Sequence, residues 1–126
     1  MRVLIIDDEA NIRRLTAVAL EGMGHEAAGA EGGDDALELL ETGHFDAALL
    51  DLRLRGERGM DLLPKLLQRS PELGVIVFSA NASAEEAQEA RRAGAHGFIA
   101  KPFSPEQMQV ALGALPIQNA GNDTAS

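Results

Sequence analysis

The stretch Phe45-Asp46-Ala47-Ala48-Leu49-Leu50-Asp51 is an apolar run that ends in a carboxylate. An apolar run of this length is typical of a short strand whose two faces are both buried in a sheet. At the end of such a strand, Asp51 would lie at the sheet edge where open α/β folds bind their ligands. Taken alone, Asp51 has an ordinary alternative as the residue that begins a turn or caps a helix. The rest of the chain decides between these interpretations.

Four other short apolar runs predict further strands, and a helical pattern follows each strand. These runs are residues 3–6, 25–30, 75–78 and 96–100, and the strand pattern is weakest in 25–30. The first helix is predicted to bury one apolar face, made of Ile12, Leu15, Thr16, Ala19, Leu20 and Met23. A strand–helix order repeated about five times predicts an α/β fold, with a doubly wound five-stranded parallel sheet and five helices on its two faces.

The last two helices carry a local start signal. Ser83 and Glu86 have the S-x-x-E spacing of a capping box, in which each side chain accepts a hydrogen bond from the backbone N–H of the other residue. Ser104 and Gln107 repeat this spacing, with Pro105 at the first helical position. The sequence therefore predicts a capping box at the start of each of these helices.

Length and composition limit the classes of protein to which the chain can belong. The 126 residues suffice for one domain, expected over residues 1–116, and the polar residues 117–126 are expected to form a disordered tail or linker. The net charge of −9 argues against direct binding of nucleic acid, and the lack of Cys excludes disulfides. The apolar stretch after Met1 is too short for a signal peptide or a membrane span, so we expect a cytoplasmic protein without a membrane partner.

Chemically capable side chains follow four of the predicted strands. Asp7 and Asp8 follow the first strand, Asp51 ends the third, Ser79 follows the fourth and Lys101 follows the fifth. Because parallel strands end at one edge of the sheet, we expect these side chains to converge there. Each also has an ordinary alternative, as an acidic helix start, a turn hydroxyl or a surface lysine. Convergence at strand ends favours the functional interpretation over a coincidence of all these alternatives.

The predicted cluster suits phosphoryl transfer to a carboxylate. Three neighbouring carboxylates repel one another, and a hard cation such as Mg²⁺ removes that penalty. Asp51 could then remain ionised and act as the nucleophile. The charge on the oxygens of the moving phosphoryl group would be met by Mg²⁺, by Lys101 and by the Ser79 hydroxyl or a backbone N–H.

The chain closely resembles the receiver domain of bacterial two-component response regulators over about residues 2–115. Four motifs carry the resemblance: Ile5-Ile6-Asp7-Asp8-Glu9, Leu49-Leu50-Asp51-Leu52-Arg53-Leu54, Phe78-Ser79-Ala80, and Gly94-Ala95-His96-Gly97-Phe98-Ile99-Ala100-Lys101-Pro102-Phe103. It implies a flavodoxin-like fold with strand order 2-1-3-4-5. The implied function is that of a phosphoryl-accepting signalling switch rather than an enzyme. Such a switch catalyses only its own phosphorylation and dephosphorylation.

The resemblance also implies roles for individual residues. Asp51 would accept a phosphoryl group from the phosphohistidine of a sensor histidine kinase, and Lys101 would pair with that group. Mg²⁺ would be held by Asp8, Asp51 and the backbone carbonyl of Arg53, with Asp7 acting mainly through a water. Ser79 would move to hold the phosphoryl group.

A conformational response is implied as well. Phe98 would be the aromatic switch that changes rotamer when Ser79 moves, with a fixed core aromatic as its alternative. The face made by the fourth helix, fifth strand and fifth helix, residues 83–115, would then meet a partner or a second copy in a homodimer. The Lys101–Pro102 peptide bond is expected to be cis.

Residues 52–59 are predicted to form a loop, and here the chain departs from the family. The usual Pro and acidic residue are replaced by Arg55 and Arg58, while Gly59 is kept. Arg53 and Asn81 occupy positions that in the family tune the lifetime of the aspartyl phosphate. The chain is expected to be a stand-alone receiver or the N-terminal piece of a longer regulator.

Two alternatives stay open beside the switch. A Mg²⁺-dependent phosphatase resembling the haloacid-dehalogenase-like family would carry a second Asp two residues after its nucleophile, where this chain has Arg53. A degenerate receiver used only for docking would not need the complete set of strand-end residues that this chain retains.

Overall fold

Five parallel strands form the central sheet in the computed structural model, which describes residues 1–116. Along the sheet the order is β2-β1-β3-β6-β7, and a separate antiparallel pair, β4 and β5, lies between β3 and β6 in the chain. The strands are β1 Arg2–Ile6, β2 Glu26–Ala30, β3 Ala47–Asp51, β4 Arg53–Leu54, β5 Glu57–Arg58, β6 Gly74–Ser79 and β7 Gly97–Ala100. Since β6 and β7 are the fourth and fifth strands of the sheet, the expected 2-1-3-4-5 order is confirmed.

Five helices cover the two faces of the sheet: α1 Ala10–Gly22, α2 Gly33–Thr42, α3 Gly59–Arg69, α4 Ala84–Arg92 and α5 Pro105–Gly113. Alternate residues of each buried strand enter two separate apolar cores. Leu4 and Leu50 belong to the core beneath α2, α3 and α4, whereas Ile5 and Leu49 belong to the core beneath α1 and α5. All of β3 is buried, as its uninterrupted apolar run predicts.

The strand register brings the functional ends together. Ile6 of β1 lies beside Leu50 of β3, so the residues that follow β1 are adjacent to Asp51. Asp51 in turn lies beside Phe78 of β6, and Ser79 lies beside Ala100 of β7. Because all these pairs are parallel, their carboxyl ends form one edge of the sheet.

Two local features differ from the sequence-based expectation. Residues 52–59, expected to be a loop, contain the β4–β5 pair, which turns at Gly56 with a φ of 80°. Leu15, expected on the buried face of α1, is 68% exposed. Consecutive helical residues are about 100° apart, and the sheet covers the side of α1 that carries Thr16 and Leu20.

Within residues 1–116, every helix is too short or too polar to cross a lipid bilayer. The expected tail, residues 117–126, lies outside the described residues. The expected cytoplasmic location stays a prediction.

Gly59 allows close packing at the end of β3 because it is small. Its N–H donates a hydrogen bond to the Leu52 carbonyl over 2.9 Å. A Cβ at this position would collide with the backbone oxygen of Asp51 and would lie 2.7 Å from the Leu52 Cα. Any side chain would therefore push α3 away from the end of β3.

Gly59→Ala is expected to destabilise the protein by about 1–3 kcal/mol, because the obstructing atoms are backbone and cannot move independently. Gly113→Ala is the matched control, since a Cβ there meets no atom within 4 Å at the end of α5. The control should be neutral or slightly stabilising because Ala is the better helix former. Urea unfolding of both variants measures the difference, and equal stabilities would contradict the close packing described for Gly59.

Candidate functional site

Three carboxylates meet at the carboxyl edge of the sheet. Asp7 and Asp8 follow β1 and Asp51 ends β3, and one oxygen from each lies within 4.8 Å of the others. Asp7 is fully buried and Asp51 is 5% exposed, while Asp8 is half-buried. Buried carboxylates at this spacing require a compensating positive charge.

Lys101 supplies part of that charge. Its Nζ lies 2.9 Å from Oδ2 of Asp7 and 3.2 Å from Oδ2 of Asp51. The side chain reaches them across the end of β6, with Nζ 4.5 Å from the centre of the Phe78 ring. The Lys101 backbone N–H donates to the Ser79 carbonyl over 2.9 Å, and the following peptide bond to Pro102 is cis, as expected.

Backbone N–H groups orient two of the carboxylates. Oδ1 of Asp7 accepts from the N–H of Glu9 at 2.9 Å, and Oδ1 of Asp51 accepts from the N–H of Arg53 at 3.1 Å. Both bonds join a residue to the backbone two positions later, as in an Asx turn. The acidic side chains are therefore held in place by the turns that follow their strands.

The electrostatics leave the cluster short of positive charge. Burial raises the pKa of the Asp51 carboxyl, the Arg53 N–H and Lys101 lower it, and the charge of Asp7 raises it again, with a net upward shift. Burial lowers the pKa of Lys101, but Asp7 and Asp51 raise it above its ordinary value, so the ammonium stays charged. Asp7 and Asp51 share the Lys101 ammonium, while Asp8 beside them has the exposed Arg55 at 4.0 Å. The oxygen-only donor set of the three carboxylates fits a hard divalent cation such as Mg²⁺.

The Ser79 hydroxyl makes its hydrogen bonds to groups other than the three aspartates of the cluster. Its Oγ donates to Oε1 of Glu86 over 2.8 Å and accepts from the N–H of Asn81 over 3.1 Å. Ser83 caps α4 by accepting from the Glu86 N–H, but the Glu86 carboxylate binds Ser79 instead of returning to the Ser83 backbone. The prediction of a complete capping box at Ser83 and Glu86 is therefore wrong, whereas the prediction of one at Ser104 and Gln107 is confirmed.

Glu86 is a residue near the site that sequence reasoning missed. Its S-x-x-E spacing was sufficient to explain it as a capping residue, and no local signal distinguishes that role from a bond to the end of a neighbouring strand. Proximity of α4 to the end of β6 would have been needed to find it.

The remaining predicted residues surround the cluster. Phe98 of β7 is half-buried and packs against the core beneath α2, α3 and α4. Arg55 extends from the β4–β5 turn, 88% exposed at its side chain, with Nε 4.0 Å from Oδ2 of Asp8. Arg58 reaches α4, where its Nη2 lies 3.5 Å from Oε2 of Glu89.

Comparison with known proteins assigns the chain to a family. The family model described as the response regulator receiver domain matches residues 3–113. The chain belongs to this family. Receiver domains are signalling domains regulated by phosphorylation, they bind Mg²⁺ at an acidic pocket, and sensor histidine kinases phosphorylate response regulators.

Individual relatives agree with this assignment. The chain is 36% identical over 110 residues to the alginate biosynthesis transcriptional regulatory protein AlgB of Pseudomonas aeruginosa, an alignment that covers 87% of this chain and 24% of AlgB. It is 33% identical to the chemotaxis protein CheY of the same organism, covering 86% of this chain and 90% of CheY. The chain thus spans about a quarter of the length of AlgB but most of CheY.

A solved structure of a related protein contains a phosphorylated aspartic acid. The response regulator from Burkholderia pseudomallei with a phosphorylated aspartic acid, a calcium ion and citrate superposes with a TM-score of 0.82 at 31% identity. The match covers 98% of this chain and 71% of that one. The chain therefore shares its fold with a response regulator that carries a phosphorylated aspartic acid.

Asp51→Asn is expected to raise the thermal midpoint of the receiver domain at about pH 7 in the presence of a chelator. Burial raises the folded-state pKa of Asp51, so its ionised form destabilises the metal-free fold above the unfolded-state pKa. That penalty, and with it the advantage of the variant, should shrink as the pH falls from the raised folded-state pKa towards the ordinary carboxyl pKa of about 4, and should vanish below it. Thermal scans from acid to neutral pH measure this, and an advantage that grows towards acid pH would contradict it.

Proposed function

We propose that Asp51 is the phosphoacceptor of this receiver domain and takes its phosphoryl group from the phosphohistidine of a sensor histidine kinase. The convergence of Asp51 with Asp7, Asp8 and Lys101 carries this proposal. Asp51 is the carboxylate at the end of a fully buried strand, and the Arg53 N–H fixes its orientation. A rigid carboxylate beside a cation is suited to act as a nucleophile towards an anionic group.

The proposed Mg²⁺ ligands are the side chains of Asp8 and Asp51 and the backbone carbonyl of Arg53, with Asp7 contributing through a water. Three carboxylates within 4.8 Å of one another, with Lys101 between Asp7 and Asp51, support a divalent cation here. When bound, the ion would offset the negative charge of the pocket and of the transferred phosphoryl group.

The other strand-end residues would hold the phosphoryl group once it is attached to Asp51. Lys101 already lies 3.2 Å from Asp51 and needs little movement to contact a phosphoryl oxygen. Ser79 would rotate its hydroxyl towards the group and donate to another oxygen. These roles supply preorganised positive charge and a hydrogen-bond donor, which phosphoryl transfer chiefly requires.

The output surface is proposed to be the face of α4, β7 and α5, as expected from the sequence. Phe98 lies on it, between the core and an open groove beside Val110, and Val110 is 73% exposed. Phosphorylation would bias this face between two arrangements, with Phe98 as the aromatic switch, and expose it to a partner or a second copy of the domain. We propose 1–116 as the receiver unit and 117–126 as a tail or linker.

The proposal distinguishes this chain from a phosphatase. Arg53 stands where a phosphatase of the alternative family would need a second Asp, and its backbone N–H is engaged by Asp51. The chain would therefore catalyse only the phosphorylation and dephosphorylation of its own Asp51.

Intact-mass measurement with an acyl phosphate donor tests the proposal. The parent is expected to gain the mass of one phosphoryl group in the presence of Mg²⁺ and none with a chelator. Asp51→Asn should gain none, and Asp35→Asn, a carboxylate of α2 outside the cluster, should label like the parent. Equal labelling of the parent and Asp51→Asn would place the acceptor elsewhere, and a parent that never labels would favour a docking module.

A further inference from the structure

We propose that Glu86 is a positioning residue that holds the Ser79 hydroxyl away from Asp51 until the acceptor is phosphorylated. Glu86 and the phosphoryl group would then compete for the one proton of that hydroxyl. This inference rests on the proposed function and adds a residue of α4 to it.

The hydrogen bonds of Ser79 define the competition. A serine hydroxyl has a single donor proton, and in this structure that proton is directed to Oε1 of Glu86, 2.8 Å away. The Asn81 N–H occupies an acceptor site on the same oxygen. For Ser79 to donate to a phosphoryl oxygen, the Oγ proton must leave Glu86, because the hydroxyl has no second proton to offer.

The position of Glu86 shows that its carboxylate is diverted to this bond. The Ser83 hydroxyl accepts from the Glu86 N–H, so the backbone half of the capping box is formed. The side-chain half is absent in α4 but present in α5, where Gln107 accepts from the Ser104 N–H over 2.8 Å. Glu86 thus gives up a local helix-capping bond for a charge-assisted bond to the end of β6.

The helix that carries Glu86 is weakly packed. Among the residues of α4, Ala90 alone is fully buried, whereas Ala87 is half-buried and Ala84 is exposed. Glu89, one turn after Glu86, pairs with Arg58 of the β4–β5 hairpin. Polar contacts at the carboxyl edge therefore contribute much of what fixes the first turns of α4, and loss of the Glu86 bond would loosen them.

Phosphorylation would break the Glu86 bond for two reasons. The Ser79 hydroxyl would donate its proton to a phosphoryl oxygen instead of the Glu86 carboxylate, so the number of hydrogen bonds that it donates would stay the same. The new negative charge at Asp51 would also repel the Glu86 carboxylate. The chemical event at β3 would thereby release the start of α4, on the proposed output face.

The test is Mg²⁺-dependent binding of beryllium fluoride, a mimic of the phosphoryl group, to four forms: the parent, Glu86→Ala, Ser79→Ala and the double variant. Glu86→Ala is expected to bind about tenfold more tightly than the parent, near the lower end of the range for a hydrogen bond to a charged group, because solvent at the half-buried Glu86 screens the competing bond. In the Ser79→Ala background the same substitution should have no such effect, because there is no proton to compete for.

Glu85→Ala is the matched control. It removes the same charge from the same helical turn, and its side chain is exposed. It should bind the mimic like the parent. A second readout is the amide resonance of Asn81, whose N–H donates to Ser79 Oγ. In Glu86→Ala without the mimic, this resonance should shift towards its position in the parent with the mimic bound.

Each outcome is decisive. Equal tightening by Glu86→Ala in both backgrounds would indicate general electrostatics and overturn the proposal, as would unchanged affinity together with an unmoved Asn81 resonance. A parent that fails to bind the mimic, or binds it as well after Asp51→Asn, would instead overturn the proposed function.

Discussion

The ammonium of Lys101 between Asp7 and Asp51 is the interaction on which the rest of the site depends. It joins the ends of three strands that are separated along the chain, and it does so at two distances of 2.9 and 3.2 Å. Because two buried carboxylates so close together would otherwise repel, the sheet edge requires a cation at this place. The strand order meets that need, since β7 is near enough for the lysine to reach over Phe78 of β6.

Physical reasons also explain which parts of the molecule could be predicted from the sequence and which could not. The buried run of β3, the parallel order and the convergence of the strand-end residues follow from apolar periodicity and from the geometry of parallel sheets. The β4–β5 hairpin did not follow, because it depends on a positive φ at Gly56 and on a distant bond from the Gly33 N–H to Glu57. Leu15 was misplaced because an apolar stripe wider than the covering sheet leaves its margin exposed.

Glu86 illustrates a different limit. A capping box is a competition between a local bond and any tertiary partner that happens to be nearby, and the sequence describes only the local competitor. In α5 the local bond wins, whereas in α4 the Ser79 hydroxyl does. The family resemblance supplied roles for the residues that match its motifs, and Glu86 lies outside those motifs.

Two chains of contacts connect Asp51 to α4, and they differ in the free energy that their weakest contact contributes. One passes from Asp51 through the Arg53 N–H into the hairpin and from Arg58 to Glu89. The side chains of that ion pair are 67% and 55% exposed, and pairs of this kind contribute about 0.2–1 kcal/mol at most. The other route passes through Ser79, which is 1% exposed, to the carboxylate of Glu86. A buried hydroxyl bonded to a charged acceptor is the stronger coupling, about 1.5–3 kcal/mol before solvent screening at Glu86. In the proposed switch, the Ser79 hydroxyl, more than the hairpin, would therefore be the element through which phosphorylation of Asp51 reaches α4.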